Sequence, residues 1–405
     1  MTPFIQANSK RISLAVSGVL ALGAATLAEP IPVVTASGAG VTLYGIAQLD
    51  ASWENHKAGP SPGNLAYWAE TGKASRSGDW NITGCNTKLG LNIAGPDSGK
   101  PFKLSGKVEI DFSGAAGSEN TPVPRLRLGY GSIAMPGIGL TLLAGQYWDV
   151  IAPLNSPTIN TGAMWFGGNF GYRRPQIRVT ETVALPTNGK IEIAAAVARG
   201  IGVASPFMQS VSIDGGHDAD LPVFQGRAAV SMPLWVEKAN ATLGVSGHFG
   251  EEDVLLDTTT VANYKTLNSW SANLDLELPL AGFLSLVGEG FYGANLDAYQ
   301  GGIGQGITKI GTNVVNVEGW GGWAALKFKI GPMVNLNVGL GVDSVHASTV
   351  ANGGKTRNVN AFVNTSYFLT PTARVGLELQ RIETDYKAGA CERLWRGQAV
   401  YAYSF

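Results

Sequence analysis

The chain has 405 residues, of which 54 are glycine and only 15% are charged. Its 29 basic and 30 acidic residues nearly balance, which argues against a nucleic-acid-binding protein. The four histidines are scattered without metal-ligand spacing, so neither a metal nor a cofactor is expected. These properties describe a large, weakly charged chain and do not indicate a catalytic centre.

The first 28 residues have the pattern of a secretory signal peptide. Lys10 and Arg11 precede an apolar run at 12–28 that is followed by small residues. This run is shorter than the roughly 20 apolar residues that a membrane-spanning helix needs. Cleavage is expected after Ala28, or as late as Ala36, which leaves residues 41–405 as one β domain.

The rest of the chain alternates with a period of two residues. In residues 102–113, FKLSGKVEIDFS, the charged residues Lys103, Lys107 and Glu109 fall on one side and apolar residues on the other. Successive side chains of a strand point to opposite faces, so each such strand has one polar and one apolar face. Ordinary strands have about 5–6 residues. The longer alternating segments here fit the tilted strands of an outer-membrane barrel, with apolar side chains outward.

Sixteen strands are predicted in this way. They lie near residues 41–55, 87–94, 102–113, 125–135, 138–149, 175–185, 189–199, 221–233, 236–250, 267–279, 281–293, 316–329, 331–346, 356–370, 372–384 and 392–405. Seven short connections are each assigned one proline: Pro96, Pro136, Pro186, Pro233, Pro279, Pro332 and Pro371. Longer connections alternate with them. The pattern predicts an all-β, sixteen-stranded antiparallel transmembrane β-barrel, which closes by pairing the last strand with the first.

Aromatic residues are expected at the two membrane boundaries. Tyr401, Tyr403 and Phe405 share one parity of the last strand and are predicted at one rim, together with Tyr44. Trp395 has the same parity and is predicted near the opposite rim. Aromatic rings are enriched at both membrane–water interfaces of such barrels.

The third long connection, residues 150–174, is unusually apolar for a loop in water. It reads IAPLNSPTINTGAMWFGGNFGYRR, and its aliphatic and aromatic side chains need cover. A long loop that packs its own side chains is usually functional. Inside the barrel, it would narrow the channel.

Several motifs resemble those of known porins. VTLYGIAQLDA near the start of the first strand and the terminal YAYSF are similar to trimeric Gram-negative porins. EIDF (109–112), RLRLGY (125–130), GQYW (145–148) and RRPQIR (173–178) resemble the DcaP-like porins. The resemblance implies a homotrimer in the Gram-negative outer membrane, in contact with lipid and lipopolysaccharide, with one pore per barrel. It also implies an inward-folded third external loop, whose constriction residues are taken to be Asn155, Asn160, Trp165 and Phe166.

Inward parity and the loop ends give a set of charged residues expected to line the pore. They are Lys107, Glu109, Asp111, Arg125, Arg127, Asp149, Arg173, Arg174, Arg178 and Arg227. Charged rings in a narrow pore select ions by sign, and arginine matches carboxylates well. The hypothesis is a preference for small anions such as carboxylates or dicarboxylates. The alternative is that the arginines and carboxylates only neutralise one another.

The two cysteines are expected to form a disulfide. Cys85 and Cys391 are placed at the ends of the first and eighth long connections, which flank the closure of the barrel. The periplasm oxidises thiols. The alternative is that both cysteines remain reduced thiols.

The favoured function is passive diffusion of small hydrophilic solutes, without enzymatic activity. One alternative is an outer-membrane enzyme of phospholipase type, which would need a Ser–His pair on the lipid-facing side. The other is a secreted all-β binding protein, whose outward-facing residues should be polar.

Overall fold

The computed structural model describes residues 32–34, 38–59, 65–72, 77–114, 121–201, 219–257 and 263–405. The predicted signal peptide, residues 1–28, lies outside them. Within the described ranges, no helix is long and apolar enough to cross a membrane.

Sixteen antiparallel strands form one closed sheet, as predicted. In chain order they are β1 Gly40–Glu54, β2 in two segments (Asp79–Thr83 and Lys88–Ala94), β3 Lys103–Asp111, β4 Arg125–Met135, β5 Leu140–Trp148, β6 Arg173–Ala184, β7 Lys190–Ala198, β8 Val223–Pro233, β9 Asn240–Asp257, β10 Asn263–Ala281, β11 Leu284–Ala294, β12 Glu318–Ile330, β13 Val334–Val345, β14 Lys355–Phe368, β15 Ala373–Tyr386 and β16 Cys391–Ser404. Each strand pairs with the next, so the connections lie alternately at two ends of the barrel, called here the turn end and the loop end.

The sheet closes because β1 pairs with β2 on one side and with β16 on the other. Ala51 lies opposite Ala399 in this closing pair. At the turn end, Gly45 and Phe405 exchange backbone hydrogen bonds of 2.9 and 3.0 Å. Closure leaves the long strands without an open edge, which a strand in lipid cannot tolerate.

The outward face of the barrel is apolar and the inward face is polar. On β15, Leu377 is 62% exposed, whereas the adjacent Glu378 is 5% exposed and Gln380 is 1% exposed. A water-soluble sandwich would bury its leucines and expose its carboxylates. The observed inversion fits a barrel whose outer surface meets lipid and whose polar side chains line the interior.

The predicted strand ends are wrong in two regions. The strand predicted at 87–94 already begins at Asp79 and is interrupted at 84–87. The loop predicted at 251–266 is largely strand, because β9 and β10 extend to Asp257 and from Asn263. The charged residues of this stretch suggested a loop. Backbone hydrogen bonds between β9 and β10 continue through this stretch. Beyond the lipid, a pair of strands needs no apolar side chains to stay paired.

Five of the seven prolines lie in turns at the turn end. Pro233 is instead the last residue of β8, and Pro279 lies within β10 beside a register irregularity between Pro279 and Ala281. Both positions fit proline, which cannot donate to a ladder and is confined to strand ends and bulges. The prediction that every short connection holds a proline is therefore wrong for these two.

The disulfide prediction is wrong. Cys85 lies in the interruption of β2 beside the middle of β1, whereas Cys391 begins β16 beyond the loop end of β1, and the two form no disulfide. At about 3.3 Å per residue, this register separates them by roughly 30 Å, far more than a disulfide spans. The prediction is wrong because it places Cys85 at the end of the first long connection, whereas Cys85 lies within the interruption of β2.

We therefore expect the two thiols to react differently. Cys391 is exposed and Cys85 is buried, so a maleimide should label one thiol per chain in the native protein and two after unfolding. Mass measurement of labelled protein checks this. The unlabelled protein should have the same mass with and without reductant. An increase of two protons on reduction would show that the disulfide is present.

Candidate functional site

The third loop, L3 (149–172), lies inside the barrel against the opposite wall. Ile159 N and Asn160 N donate to the Glu378 carboxylate at 2.7 and 2.9 Å. Asn364 Nδ2 donates to the carbonyl of Pro157 at 2.8 Å. Because Glu378 and Asn364 point inward from β15 and β14, these contacts carry the loop across the lumen.

Close backbone packing fixes the middle of L3. Gly168 has a φ of +112°, and a Cβ at this position would overlap the carbonyl oxygen of Gly322 on β12. Only glycine combines that backbone conformation with such an approach. The Asn358 side chain on β14 also donates to the Phe166 carbonyl at 2.7 Å.

Two further loops, whose inward course no sequence pattern predicts, also enter the barrel. L1 (55–78) contributes Tyr67 and Trp68, and L6 (295–317) contributes Ile303. They pack on Trp165 and Phe166 of L3 in a hydrophobic cluster, called here the loop cluster. The rings of Tyr67 and Phe166 meet edge-to-face with centroids 5.2 Å apart. The three loops therefore support one another inside the loop end.

The four predicted constriction residues have different environments. Trp165 and Phe166 belong to the loop cluster. Asn160 is buried, and its Nδ2 donates to the Ala66 carbonyl and to Gln380 Oε1, both at 3.0 Å. Asn155 is half-buried. Three of the four thus hold the loops in place, and Asn155 is the most accessible of them.

Four of the predicted pore-lining residues form one ion-paired group on β3 and β4. Arg125 donates to Asp111 through Nε at 3.0 Å and Nη2 at 2.7 Å. Arg127 bridges Glu109 at 2.8 Å and Asp111 at 2.9 Å. The group contains two positive and two negative charges, so its members neutralise one another.

Tyr44 completes this group. It lies at the level of Phe405, as predicted, but its side chain points into the barrel and not to the membrane boundary. Its hydroxyl donates to Glu109 at 2.8 Å, and the Lys107 ammonium lies 4.5 Å from the centre of its ring. Adjacent side chains of a strand point to opposite faces. Leu43 is exposed on the outward face of β1, so Tyr44 points inward. Tyr401, Tyr403, Phe405 and Trp395 are exposed on the outward face.

Three more predicted residues are also paired with opposite charges. Arg227 forms two hydrogen bonds with Asp275, at 2.9 and 2.6 Å, and contacts Glu192 at 3.3 Å. Arg174 and Asp149 contact each other at 2.7 Å, and neither side chain is accessible to solvent. That buried pair fixes the first residue of L3 to the start of β6.

Arg173 and Arg178 form no ion pair with a carboxylate among the described residues. The Arg173 guanidinium lies between the rings of Trp148 and Tyr172, at 4.8 and 4.9 Å from their centres. Its Nη1 is buried, and no described group accepts a hydrogen bond from it. Arg178 donates to Gln176 and to the Trp148 carbonyl, and lies over the Tyr147 ring. This part of the wall therefore carries excess positive charge.

A Ser–His contact exists, on the inward side of the barrel. His248 Nδ1 lies 2.7 Å from Ser271 Oγ, and its Nε2 lies 2.9 Å from Ser269 Oγ. Both ring nitrogens are used by serines, and the Tyr299 ring stacks on the imidazole at 3.9 Å. This arrangement is buried and faces away from the outer surface, unlike the site that a phospholipase-type enzyme would need. Over the described ranges, no group of three or more His, Cys, Asp or Glu residues could hold a metal ion.

Comparisons with known proteins agree on the fold. No family model and no curated protein matches the sequence. The outer membrane channel DcaP of Acinetobacter baumannii superposes with a TM-score of 0.73 at 18% identity, over 92% of this chain and 99% of that chain. The anion-selective porin from Comamonas acidovorans gives 0.58 at 11% identity, over 91% and 100%. A trimer form of Vibrio cholerae OmpT gives 0.55 at 10%, over 91% and 99%. The chain has the fold of outer-membrane porins, with the DcaP channel more similar than the other two.

Proposed function

We propose that this chain is an outer-membrane channel for passive diffusion of small hydrophilic solutes. The observation that carries the proposal is the closed barrel with an apolar outer face, a polar inner face and a loop across its lumen. The Gram-negative outer membrane is where barrels of this fold and size are found. The similarity to the DcaP channel supports this location.

The channel prefers small anions, with carboxylates and dicarboxylates as the favoured class. Support comes from Arg173 and Arg178, whose charges are not balanced by a paired carboxylate among the described residues. Guanidinium groups bind carboxylates through paired hydrogen bonds. The nearby Arg125 and Arg127 contribute less, because Asp111 and Glu109 neutralise them.

Liposome swelling tests this function. Proteoliposomes should admit neutral sugars and should admit dicarboxylates of similar size faster. Equal rates for the two solute classes would contradict the proposed anion preference but not the proposed channel. Absence of swelling with every solute would contradict the channel function itself.

The assembly is a homotrimer surrounded by lipid and lipopolysaccharide. The trimeric OmpT form of the same fold supports the first part. Support for the second comes from an apolar groove of about 600 Å³ on the outward face of β11–β16. Arg381 and Trp395 line its loop-end side. Arg381 and Arg393 both pair with Glu383, which leaves one positive charge in excess there. Basic residues there suit the phosphates of an outer-leaflet glycolipid.

We expect the mature protein to begin at Glu29, after cleavage at Ala28. Residues Pro32–Val34 pair with Gly40–Thr42 of β1. Cleavage after Ala36 would discard this pairing, whereas cleavage after Ala28 keeps it. N-terminal sequencing of protein from outer membranes checks the expectation, and a start at Ser37 would contradict it.

A further inference from the structure

Three basic side chains point into the barrel near its turn end. Lys327 and Lys329 lie on β12, and Arg374 lies on β15. Residues directly opposite each other in an antiparallel pair point to the same face. Lys327 lies opposite Asn337, whose Nδ2 donates to the inward Asn364 at 2.9 Å. Lys329 has the same parity as Lys327, and Arg374 has the inward parity of β15. The three basic residues are called here the basic shelf.

One row of opposed residues joins the two sides of the basic shelf. Lys329 lies opposite Asn335 on β13, and Asn335 lies opposite Ser366 on β14. Arg374 Nη1 donates to Ser366 Oγ at 3.2 Å. Neighbouring strands are about 4.8 Å apart, so the guanidinium contacts a residue about 10 Å from the Lys329 backbone. Lys327 is two residues along the same strand, about 7 Å away, so all three side chains can reach one small solute.

The basic shelf lies directly on the turn-end side of L3. Gly376 is opposite Ser366, and a Cβ on Gly376 would lie 2.8 Å from Ile159 Cδ1 of L3. The row of opposed residues therefore continues beneath the loop. Arg173 begins β6 at the loop end, so the basic shelf is a separate group of charges.

The positive charges of the basic shelf are not paired with carboxylates. Among the described residues, none of the three forms an ion pair, and Glu277 points inward from β10 but pairs with neither lysine. Asp50 lies on β1, on the side of Arg374 away from β14, and accepts hydrogen bonds from three side-chain amides. Lys329 is exposed, and Lys327 and Arg374 are half-buried. Their charges therefore act on solutes in the lumen.

We propose that the basic shelf binds small oxyanions that carry two or more negative charges. Coulomb attraction grows with the charge of the ligand, so a dianion is held more strongly than acetate. The guanidinium and ammonium groups donate charge-assisted hydrogen bonds, and the Asn335 amide and the Ser366 hydroxyl add neutral donors. Dicarboxylates and phosphate-type dianions share this chemistry. Three positive charges about 6 Å from a dianion in water correspond to a dissociation constant on the order of 10⁻³ M.

The position of this site gives the channel a direction. A dianion that enters from the turn end meets the basic shelf before L3, whereas one from the loop end must first pass the loop. Dianions added at the turn end should therefore reduce single-channel conductance at lower concentrations than dianions added at the loop end. This sidedness rests on the proposed channel function, whereas the binding site does not.

Saturation-transfer NMR on the full-length protein in detergent tests the site, because the method detects weakly bound ligands. The probes are succinate and methylphosphonate, at a pH where both are dianions, with acetate as the monoanion. We expect saturable binding of at least one dianion, and a dissociation constant at least about tenfold higher for acetate. The dianion that binds more tightly identifies the ligand class. Arg374→Gln should weaken dianion binding about tenfold, and combining it with Lys327→Gln and Lys329→Gln should remove the saturable signal.

The matched control removes three outward-facing arginines instead. Arg357→Gln, Arg381→Gln and Arg393→Gln together change the net charge by the same amount as the triple variant of the basic shelf. These arginines have outward parity at the loop end of β14, β15 and β16. The control variant should bind dianions as the wild type does.

Three outcomes overturn the proposal. The first is wild-type protein without saturable binding of either dianion, the second is equal binding by the wild type and the triple variant of the basic shelf, and the third is acetate binding as tight as dianion binding. If the triple variant fails to fold, Lys329→Gln at its exposed position decides instead: it should weaken binding about tenfold, and an unchanged dissociation constant overturns the site. These measurements need no transport, so failed liposome swelling would contradict the channel without affecting them.

Discussion

Replacing Arg125 and Arg127 together by glutamine is expected to shift the channel toward cations. The two arginines neutralise Asp111 and Glu109, so their removal leaves two carboxylates facing the lumen. A unit charge at about 6 Å in water changes the energy of a passing ion by about 0.7 kcal/mol, or about threefold in partition. Two charges are lost, and each acts in opposite directions on chloride and potassium, so the chloride-to-potassium permeability ratio should fall by about a hundredfold. Reversal potentials in a salt gradient measure it.

A fourfold variant is the control for this result. Adding Glu109→Gln and Asp111→Asn removes the whole neutral group, so selectivity should return close to that of the wild type. Arg381→Gln, on the outward face over Trp395, should have no effect. An unchanged permeability ratio in the double variant would show that this group does not face the ion path.

Replacing Glu378 by alanine is expected to release L3. Glu378 accepts hydrogen bonds from Ile159 N, Asn160 N and Asn364 Nδ2. Each hydrogen bond to a charged group contributes about 1.5–3 kcal/mol. Loss of even one such contribution should raise the population of the open loop at least about tenfold. Single-channel recordings should show larger or more variable conductance steps than the wild type gives.

Glu378→Gln is the matched control, because it keeps the shape and one acceptor oxygen. Its conductance should lie between those of the wild type and Glu378→Ala. Leu377→Ala changes the outward neighbour on β15 and should leave conductance unchanged. Identical conductance in Glu378→Ala and the wild type would mean that the carboxylate does not hold L3 across the lumen.

The sheet could be predicted from the sequence because lipid outside the barrel and water inside it impose a strict pattern on the side chains. An outward residue such as Leu377 must be apolar and an inward one such as Glu378 polar, so period-two alternation marks every strand in lipid. The pattern loses force at the strand ends beyond the lipid. The extensions of β9 and β10 at the loop end were missed for this reason, as was the early start of β2.

The interior was predicted less completely, because it depends on contacts between distant residues. Asn160 and Glu378 are 218 positions apart, and no local pattern shows that they meet. The glycine-rich stretch 301–306, GGIGQG, has the composition of a flexible loop. Its glycines instead allow tight turns, with φ of +63° at Gly302 and +69° at Gly304, that bury Ile303 between them. The apolar residues around Tyr67 in L1 were the available signal for a second inward loop.

The most direct test is a spin-label scan of β13 in liposomes, with both native cysteines replaced by serine. One nitroxide is placed at each position from Asn335 to Leu340, and collisions with oxygen and with a water-soluble nickel complex are compared. Leu336, Val338 and Leu340 should be accessible to oxygen from the lipid, and Asn335, Asn337 and Gly339 to nickel from the lumen. Uniform accessibility along the strand, or nickel access at the leucine positions, would contradict a water-filled barrel in a membrane.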